Sequence, residues 1–388
     1  MRWTMTILFG SLLLLSLIAW SLAPPPRTDG KVPLIWISDA NPQRDDQVNK
    51  FNEMYPELDL SIDPDNSGTM KVVTQSSAGM GGDIIGHVAP SGSYQTYTEA
   101  GILWDITEKA KKMGFGPETL PKQIRPLVMM KQLDKNGNIV ERQYIYPCNV
   151  AHTIMIYNKN LFDKYNVPYP KEDLSWEDYL EICKKLTVYK DEESSYPEAF
   201  GLTGANMMLM IWQNGGDILS KDRTQGKLST KEAIDAMQLY HDLYYKYRVT
   251  PTPSQKSGMA AQGGWGGNMA FFGGGKIATI WGARWMLIQF RRFIAEQKKA
   301  RKKFLKENPG KESEAPEILR FGACLVPRFK DKKRITVFGC RGAGINVASK
   351  KREKALKFLQ YLASKQYSDI LNQGADSKPG NKKYISKI

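Results

Sequence analysis

The sequence predicts an α/β protein with two domains, and its length and its first strand and helix patterns carry that prediction. The chain has 388 residues, and a single hydrophobic core rarely grows beyond roughly 250–300 residues. The apolar segments 32–38 and 58–62 flank an amphipathic segment, 42–55, as two strands flank a helix. A strand–helix–strand unit of this kind forms a parallel sheet.

The composition is that of a folded protein with an excess of positive charge. Hydrophobic residues make up 41% of the chain, and the formal net charge is +15. Such a charge can favour nucleic acid, an anionic surface or an acidic ligand, but no nucleic-acid motif accompanies it, so we expect no nucleic-acid partner. The densest basic segment is 291–311, RRFIAEQKKARKKFLKENPGK. We expect a solvent-exposed helix there, with contact to anionic lipid or polysaccharide as the alternative.

Residues 1–23 predict export. An apolar run at 7–22 follows a short basic start, which is typical of a signal peptide. Small residues near Ala23 suit cleavage and Pro24 disfavours it, while the run counted from Trp3 approaches the length of a membrane-spanning helix, about 20 residues. A cleaved signal peptide and an uncleaved transmembrane anchor are therefore both open. We expect residues 24–31 to be a tether, and the protein to lie in the periplasm or on the extracellular face of the cytoplasmic membrane.

Two strand ends in the first part of the chain carry polar side chains suited to ligand binding. Ligands of parallel sheets bind beyond the carboxyl ends of the strands. The first strand ends at residue 38, and a later strand that begins at Asp83 leads into the loop 86–94. The candidate ligand residues at these ends are Ser38, Asp39, Asn41, His87, Ser91 and Tyr94.

The segment 143–170, QYIYPCNVAHTIMIYNKNLFDKYNVPYP, predicts two extended pieces followed by a short helix. Pro147 cannot donate to a sheet ladder and holds its predecessor extended, so a kink is expected at 147–149. Together with Trp176 farther on, this segment resembles family 1 of the extracellular solute-binding proteins of ABC importers, the maltose-binding-like group. Taken alone, it also suits a strand–turn–helix unit of an α/β enzyme.

Motifs of that family recur along the chain in the family's order. They include LIWIS…NPQRDDQVNKFNEMYPELDLSI at 34–62, GILWDIT at 101–107, IWQNGGD at 211–217, FFGGGKIATIWGARW at 271–285 and FGACLVP at 321–327. Thr279 stands where the family usually has Met. The resemblance stops near Pro379, where family members usually continue with further helices.

The resemblance implies a two-lobed, type II periplasmic-binding-protein-like fold, with three crossings between the lobes and a ligand cleft between them. We expect lobe 1 to comprise 32–146 plus 276–335, and lobe 2 to comprise 147–275 plus 336–388. The implied ligand is a carbohydrate, and the implied partners are the permease subunits of an ABC importer on other chains. A monomer without cofactor or metal is expected.

The resemblance also implies further cleft residues. At the predicted second crossing, Trp281 and Trp285 offer aromatic faces for sugar rings. Arg284 and Arg341 favour an acidic sugar, because a guanidinium group pairs bidentately with a carboxylate or phosphate. The candidates beyond the two early strand ends are Asn149, Trp212, Gln213, Trp265, Trp281, Arg284, Trp285, Arg341 and Gly342.

The chain has four cysteines, and none of them shows metal-ligand spacing. Cys148 and Cys340 fall at the first and third predicted crossings, which run side by side in the family. We therefore expect them to be close in space and to be a candidate disulfide in an oxidising compartment. Cys183 and Cys324 are expected to be buried thiols.

Two other classes of function stay open. Catalysis has little support, because the sequence has no GxSxG, HExxH or phosphate-binding-loop motif. Asp39 and Asp83 are nevertheless the carboxylates that a glycosidase could use, so an exported carbohydrate-active enzyme is one alternative. The other alternative is an anchored polysaccharide-binding surface protein, which would use the basic segment 291–311.

Overall fold

The computed structural model of the chain describes residues 10–18, 28–64, 68–90, 92–191, 194, 196–260, 267–374 and 376–385. Its strands are β1 (Val32–Ile37), β2 (Leu58–Asp63), β3 (Ile84–Val88), β4 (Met129–Leu133), β5 (Ile139–Gln143), β6 (Ile145–His152), β7 (Ile154–Asn158), β8 (Phe200–Thr203), β9 (Ile277–Gly282), β10 (Phe321–Cys324) and β11 (Phe338–Ile345). Its helices are α1 (10–18), α2 (Pro42–Met54), α3 (Thr69–Ser77), α4 (Ser93–Glu99), α5 (Thr107–Lys112), α6 (Arg125–Val128), α7 (Lys159–Lys164), α8 (Trp176–Lys185), α9 (Met207–Gln213), α10 (Lys231–Tyr245), α11 (Pro253–Ala260), α12 (Gly267–Gly273), α13 (Met286–Glu307), α14 (Arg352–Leu362) and α15 (Lys365–Gly374).

The strands form two larger sheets and a small hairpin. The first sheet has the strand order β2-β1-β3-β11-β6, the second has the order β10-β7-β9-β8, and β4 pairs with β5. β1 is parallel to both β2 and β3, which confirms the predicted strand–helix–strand unit. We call the units built on these sheets the first lobe and the second lobe. The predicted α/β, two-lobed fold class is confirmed.

Sheet membership differs from the predicted division of the chain into lobes. β9 is antiparallel to β7 and parallel to β8, so the segment 276–335 contributes strands to the second sheet and not to the first. β11 is antiparallel to β3 and β6, so the segment 336–388 contributes its strand to the first sheet. Consecutive strands change sheet between β6 and β7 and between β10 and β11. The predicted crossing at 276–281 is instead a strand within the second sheet.

Each lobe has an aromatic core of its own. In the first lobe, Trp36 of β1 lies 4.7 Å from Phe358 of α14, measured between ring centroids, and Phe51 of α2 lies 5.5 Å from Tyr361. The helix α14 therefore completes the first lobe, although it comes more than 250 residues later in the chain than β3. In the second lobe, the ring of Trp281 lies 5.3 Å from that of Trp176.

The N-terminal prediction falls only partly on described residues. Of the apolar run at 7–22, the structure describes residues 10–18, which form α1. The large apolar side chains of α1 are exposed, for example Leu13 at 66%. Within the described ranges, no helix combines the length and the apolar character that crossing a membrane requires.

Candidate functional site

A cavity of about 310 Å³ lies between the two lobes. Its walls come from the segment after β1 and the end of β3, from α2, β6 and β11, from the start of α13 and from the segment after α15. The first five of these segments meet because the first sheet brings the carboxyl ends of β1 and β3 next to β11 and β6. The lining residues are Asp39, Asn41, Arg44, His87, Asn149, Ala151, Trp285, Ile288, Gly339, Cys340, Arg341 and Asp376.

Asp39, two residues after the end of β1, is the acceptor around which the charged and polar lining residues of the first lobe, here called the polar wall, are arranged. Its Oδ1 accepts from Arg341 Nη1 at 2.7 Å and from Arg44 Nε at 3.3 Å. His87 Nε2 lies 2.8 Å from the same oxygen, and Asn41 Nδ2 donates to Oδ2 at 2.7 Å. Burial alone would raise the pKa of this carboxyl, but the hydrogen bond from His87 and the charge of Arg44 hold the pKa well below its ordinary value. Asp39 is therefore an anion at neutral pH.

Arg44 and Asp376 form a buried ion pair behind this wall. Arg44 is 1% exposed, and its Nη1 donates to Asp376 Oδ2 at 2.5 Å and to Gln47 Oε1 at 2.7 Å. Burial would lower the pKa of Arg44, but the negative groups around it, Asp376 foremost and Asp39 among them, together outweigh burial, so the pKa is raised and the guanidinium stays charged. Asp376 Oδ1 accepts from Asn149 Nδ2 at 3.0 Å. The pair thus fastens the segment after α15 to α2 and β6.

Arg341 has one part of its guanidinium group fixed and another part unused. It lies in β11 opposite Asn149 of β6, and its Nη1 is held by Asp39. Its Nε and Nη2 are buried and have no hydrogen-bond partner among the described residues. An arginine edge of two N–H groups matches the two oxygens of a carboxylate or phosphate. A buried cationic edge without acceptors is costly, so this edge favours a ligand that supplies them.

The second lobe contributes an aromatic and an aliphatic side chain. Trp285 and Ile288 lie at the start of α13, and Trp285 is half-buried. Trp285 also borders a second cavity of about 210 Å³ within the second lobe, whose lining includes Thr203 and Asn268. Thr203 is 1% exposed, and its hydroxyl has no hydrogen-bond partner in the described part of the chain. The indole ring therefore stands between two cavities.

Two predicted ligand residues are structural. The hydroxyl of Tyr94 donates to the carbonyl of Val128 at 2.7 Å, and Tyr94 is 2% exposed. Gln213 is 1% exposed; its Nε2 donates to the carbonyl of Ile335 at 3.0 Å and its Oε1 accepts from Trp176 Nε1 at 3.1 Å. Both side chains satisfy backbone or core polar groups, and neither lines the interlobe cavity.

Three more predicted residues lie away from the interlobe cavity. Trp212 donates through Nε1 to Asp217 on the second lobe. Trp281 is 4% exposed because it packs in the core of the second lobe, and it borders the smaller cavity beside Trp285. Gly342 packs against β6: a Cβ there would come within 2.7 Å of Ile145, so this glycine permits close strand packing.

Arg284 binds protein carbonyls. Its Nη1 donates to the carbonyl of Ser377 at 2.6 Å, and its Nη2 donates to that of Asn372 at 2.6 Å. Arg284 belongs to the second lobe and these carbonyls to the segment that packs on the first, so it joins the lobes. This use of its N–H groups explains why it does not line the interlobe cavity.

The structure brings six of the fifteen predicted ligand residues together at the interlobe cavity. Ser38 is buried behind the wall, where its hydroxyl donates to Asp39 Oδ1 at 3.2 Å. Ser91 and Trp265 lie outside the described residues. The predicted residues that line the cavity are Asp39, Asn41, His87, Asn149, Trp285 and Arg341.

Sequence reasoning missed Arg44 and Asp376. Arg44 had a usable signal, since it precedes Val48 and Phe51 by four and seven residues and so shares the apolar face of α2. A cation on that face needs a buried partner. Asp376 had no comparable signal, because its partner lies 332 residues away in the chain.

Cys148 and Cys340 lie on the paired strands β6 and β11, but both are free thiols. The predicted disulfide is therefore not formed in this structure. Cys340 stands opposite Val150, which leaves Cys148 in a diagonal position. Diagonal neighbours lie about 7–8 Å apart, beyond the usual span of a disulfide. Burial raises the pKa of each thiol to about 12.

Comparison with known proteins agrees with this architecture. Residues 39–369 match the family described as bacterial extracellular solute-binding protein. An ABC substrate-binding protein from Listeria monocytogenes in complex with cycloalternan is 23% identical, with a TM-score of 0.71 over 91% of this chain and 80% of that one.

Two further solved structures have the same fold. A solute-binding protein from Thermotoga lettingae with α-D-tagatose is 20% identical (TM-score 0.67, 91% of this chain and 83% of that chain). A maltose-bound protein from T. maritima is 18% identical (TM-score 0.66, 91% and 82%). At these identities the likeness establishes the fold, and the family match establishes membership. The chain belongs to the bacterial extracellular solute-binding proteins.

Proposed function

We propose that the protein binds a carbohydrate in the interlobe cavity, outside the cytoplasmic membrane, and delivers it as a monomer to the permease subunits of an ABC importer. Family membership supports solute binding, and the cycloalternan, tagatose and maltose in its structural neighbours support a carbohydrate as the solute. The observation that carries the proposal is one cavity with charged hydrogen-bonding groups on the first lobe and Trp285 on the second.

These two walls suit the two kinds of surface that a sugar presents. An indole ring packs against the apolar C–H face of a sugar ring. The carboxylate of Asp39 accepts hydrogen bonds from hydroxyl groups, and Arg341 and His87 add further polar groups at the same wall. The cavity volume is near the lower end of the roughly 300–1,000 Å³ typical of ligand pockets, which favours a mono- or short oligosaccharide.

The unused edge of Arg341 supports an acidic carbohydrate, such as a uronic acid or a sugar phosphate. Arg44 donates to protein acceptors through Nε and Nη1, whereas Nε and Nη2 of Arg341 have no acceptor among the described residues. A carboxylate or phosphate would supply two oxygens to that edge. A neutral sugar would supply only hydroxyl oxygens, which bind a guanidinium group less strongly.

A ligand screen with a matched pair of tryptophan variants tests the binding proposal. Thermal unfolding is followed with neutral sugars, polyols, uronic acids and sugar phosphates, and calorimetry gives the affinity of each hit. A ligand at 100 times its Kd adds about 2.7 kcal/mol to the folded state. Trp285→Ala should weaken binding by about 2 kcal/mol, roughly thirtyfold, because it removes the aromatic side chain of the second-lobe wall, here called the aromatic wall.

Trp212→Ala is the control, because Trp212 is also a half-buried tryptophan of the second lobe but does not line the cavity. Its affinity should match that of the unchanged protein. Cooperative unfolding without a shift for any carbohydrate would count against carbohydrate binding. Equal losses in both variants would count against this cavity as the site.

Two substitutions at Arg341 test for an acidic ligand. Arg341→Gln should weaken binding of an acid by about 2–5 kcal/mol, and Arg341→Lys should recover only part of it because lysine lacks the bidentate edge. Calorimetry with a uronic acid and with its neutral parent sugar separates charge from shape. Tight binding of the neutral sugar by both variants, with no binding of the acid, would argue for a neutral ligand.

Binding without turnover is favoured over glycoside hydrolysis. Asp83, one carboxylate nominated for catalysis, is occupied by structural partners: Ser349 Oγ donates to it at 2.6 Å, Lys351 Nζ at 3.0 Å and the Ile35 amide at 2.9 Å. Asp39 has a lowered pKa, which makes it a poor general acid. Mass analysis of a bound oligosaccharide after long incubation should return it intact, and cleavage products would favour an enzyme.

A further inference from the structure

Most of the basic segment 291–311 lies in the helix α13, which ends at Glu307, and the helix carries five exposed lysines. Lys298, Lys302 and Lys306 are spaced by four residues, so they share one face of the helix over about 12 Å. Lys299 and Lys303 flank them. We call these five residues the lysine stripe.

The lysine stripe places several like charges along one face of its helix. Like charges four residues apart destabilise a helix. Elsewhere, exposed helical lysines have acidic partners at that spacing, as in Lys231 with Asp235 and Lys365 with Asp369, each at 2.6 Å. Of the stripe, Lys303 alone has an ion pair within the described residues, to Glu307 at 3.9 Å. An external anion would relieve this repulsion.

The helix is held so that the lysine stripe faces outward. Phe290 is buried in the second lobe, and Phe293 and Ile294 pack against the same core. Arg301 donates to the carbonyls of Ala315, Pro316 and Glu312, which fastens the following segment to the helix. Since Phe290, Phe293 and Ile294 pack inside the protein and the stripe itself consists of lysines, contact through the stripe would be electrostatic.

A membrane surface is the anionic partner that fits best. A straight row of charges on a rigid helix suits a flat array of phosphate groups, and each basic residue near such a surface adds to binding. The same chain carries α1, whose leucines are exposed. A basic patch together with an apolar segment is the combination that holds proteins stably at membranes. We propose that the lysine stripe binds anionic phospholipid headgroups and keeps the second lobe at the membrane surface.

Vesicle co-sedimentation of the full chain tests the proposal. Vesicles of phosphatidylcholine alone measure binding through apolar segments, and vesicles that also contain phosphatidylglycerol measure the added electrostatic part. Changing Lys298, Lys302 and Lys306 together to Glu should reduce the phosphatidylglycerol-dependent partition by about tenfold or more. Salt at about 1 M should abolish the phosphatidylglycerol-dependent partition of the unchanged protein, because charges are then screened within about 3 Å.

The control variant changes Lys122, Lys171 and Lys221 to Glu, since these three are exposed and lie apart from one another in the chain. The control variant has the same net charge as the stripe variant. Its phosphatidylglycerol-dependent partition onto vesicles should stay within about twofold of that of the unchanged protein. A variant with Gln at the three stripe positions removes the charges without reversing them. Thermal unfolding then checks that this variant and the Glu variant are folded. Equal losses in the two Glu variants, or no dependence on phosphatidylglycerol, would overturn the proposal. So would stripe-dependent binding to polygalacturonate with none to vesicles.

Discussion

The two walls of the interlobe cavity are built in different ways. On the first lobe, Asp39, Arg44, Arg341 and Asp376 hold one another through short ion pairs. On the second lobe, Trp285 and Ile288 come from the start of one helix and add mainly contact surface. The polar wall is thus organised before any ligand binds, which reduces the ordering cost of binding.

The polar wall is also where distant parts of the chain meet. Arg44 and Asp376 are 332 residues apart in sequence and bond directly. Changes to this wall should therefore alter folding stability together with binding, whereas changes to the aromatic wall should alter binding alone. Four further predictions test this difference between the two walls.

The largest effect should follow Asp376→Asn. The change leaves Arg44 buried without its main counter-charge, and breaking a buried ion pair costs about 3–5 kcal/mol of unfolding free energy. Urea unfolding measures that loss. Asp369→Asn is the matched control, because Asp369 pairs with Lys365 at the surface of α15, where such pairs contribute about 0–1 kcal/mol. Similar losses in both variants would mean that the polar wall does not hold the fold together.

The sequence was informative where the relevant contact is local. Asp39 and His87 were found because side chains at the carboxyl ends of parallel strands face a common edge, although His87 proves to be the penultimate residue of β3 and not part of the following loop. Tyr94 and Trp281 were predicted to contact ligand but belong to the cores, since a sequence alone does not reveal which side of a strand end faces inward. The apolar sequence pattern of β9 fits a strand of either sheet equally well, and only the pairing of β9 with β7 and β8 assigns it to the second lobe.

Asp39→Asn should have the second-largest effect on unfolding free energy, and it should change how that free energy depends on acid pH. The folded-state pKa of Asp39 lies below the ordinary value of 3.8, so its contribution is present above that pH and is lost as the pH falls below it. At neutral pH the variant should lose about 1–3 kcal/mol of unfolding free energy, as for hydrogen bonds to a charged group. The difference from the unchanged protein should shrink in unfolding experiments below pH 3.8. A constant difference at all pH values would contradict the ionised role of Asp39.

Arg284→Ala tests a half-buried second-lobe cation that reaches across to the segment packed on the first lobe. It removes donors to the carbonyls of Ser377 and Asn372, so we expect a loss of about 1–2 kcal/mol in unfolding free energy. Arg291→Ala is the comparison, because Arg291 is exposed and makes a single bond to the carbonyl of Gln373. If ligand affinity fell in Arg284→Ala as far as in Trp285→Ala, Arg284 would belong to the binding wall.

The smallest effect should appear at the cavity thiol. Cys340 lines the polar wall, yet its pKa of about 12 leaves little thiolate near neutral pH. Alkylation of the folded protein should therefore be slow at Cys340 and at buried Cys148, and Cys340→Ser should change ligand affinity little. Intact mass after alkylation in denaturant without reductant should show all four thiols modified. Two unmodified cysteines would instead mean that β6 and β11 do bring Cys148 and Cys340 within bonding distance, and that the polar wall is covalently braced.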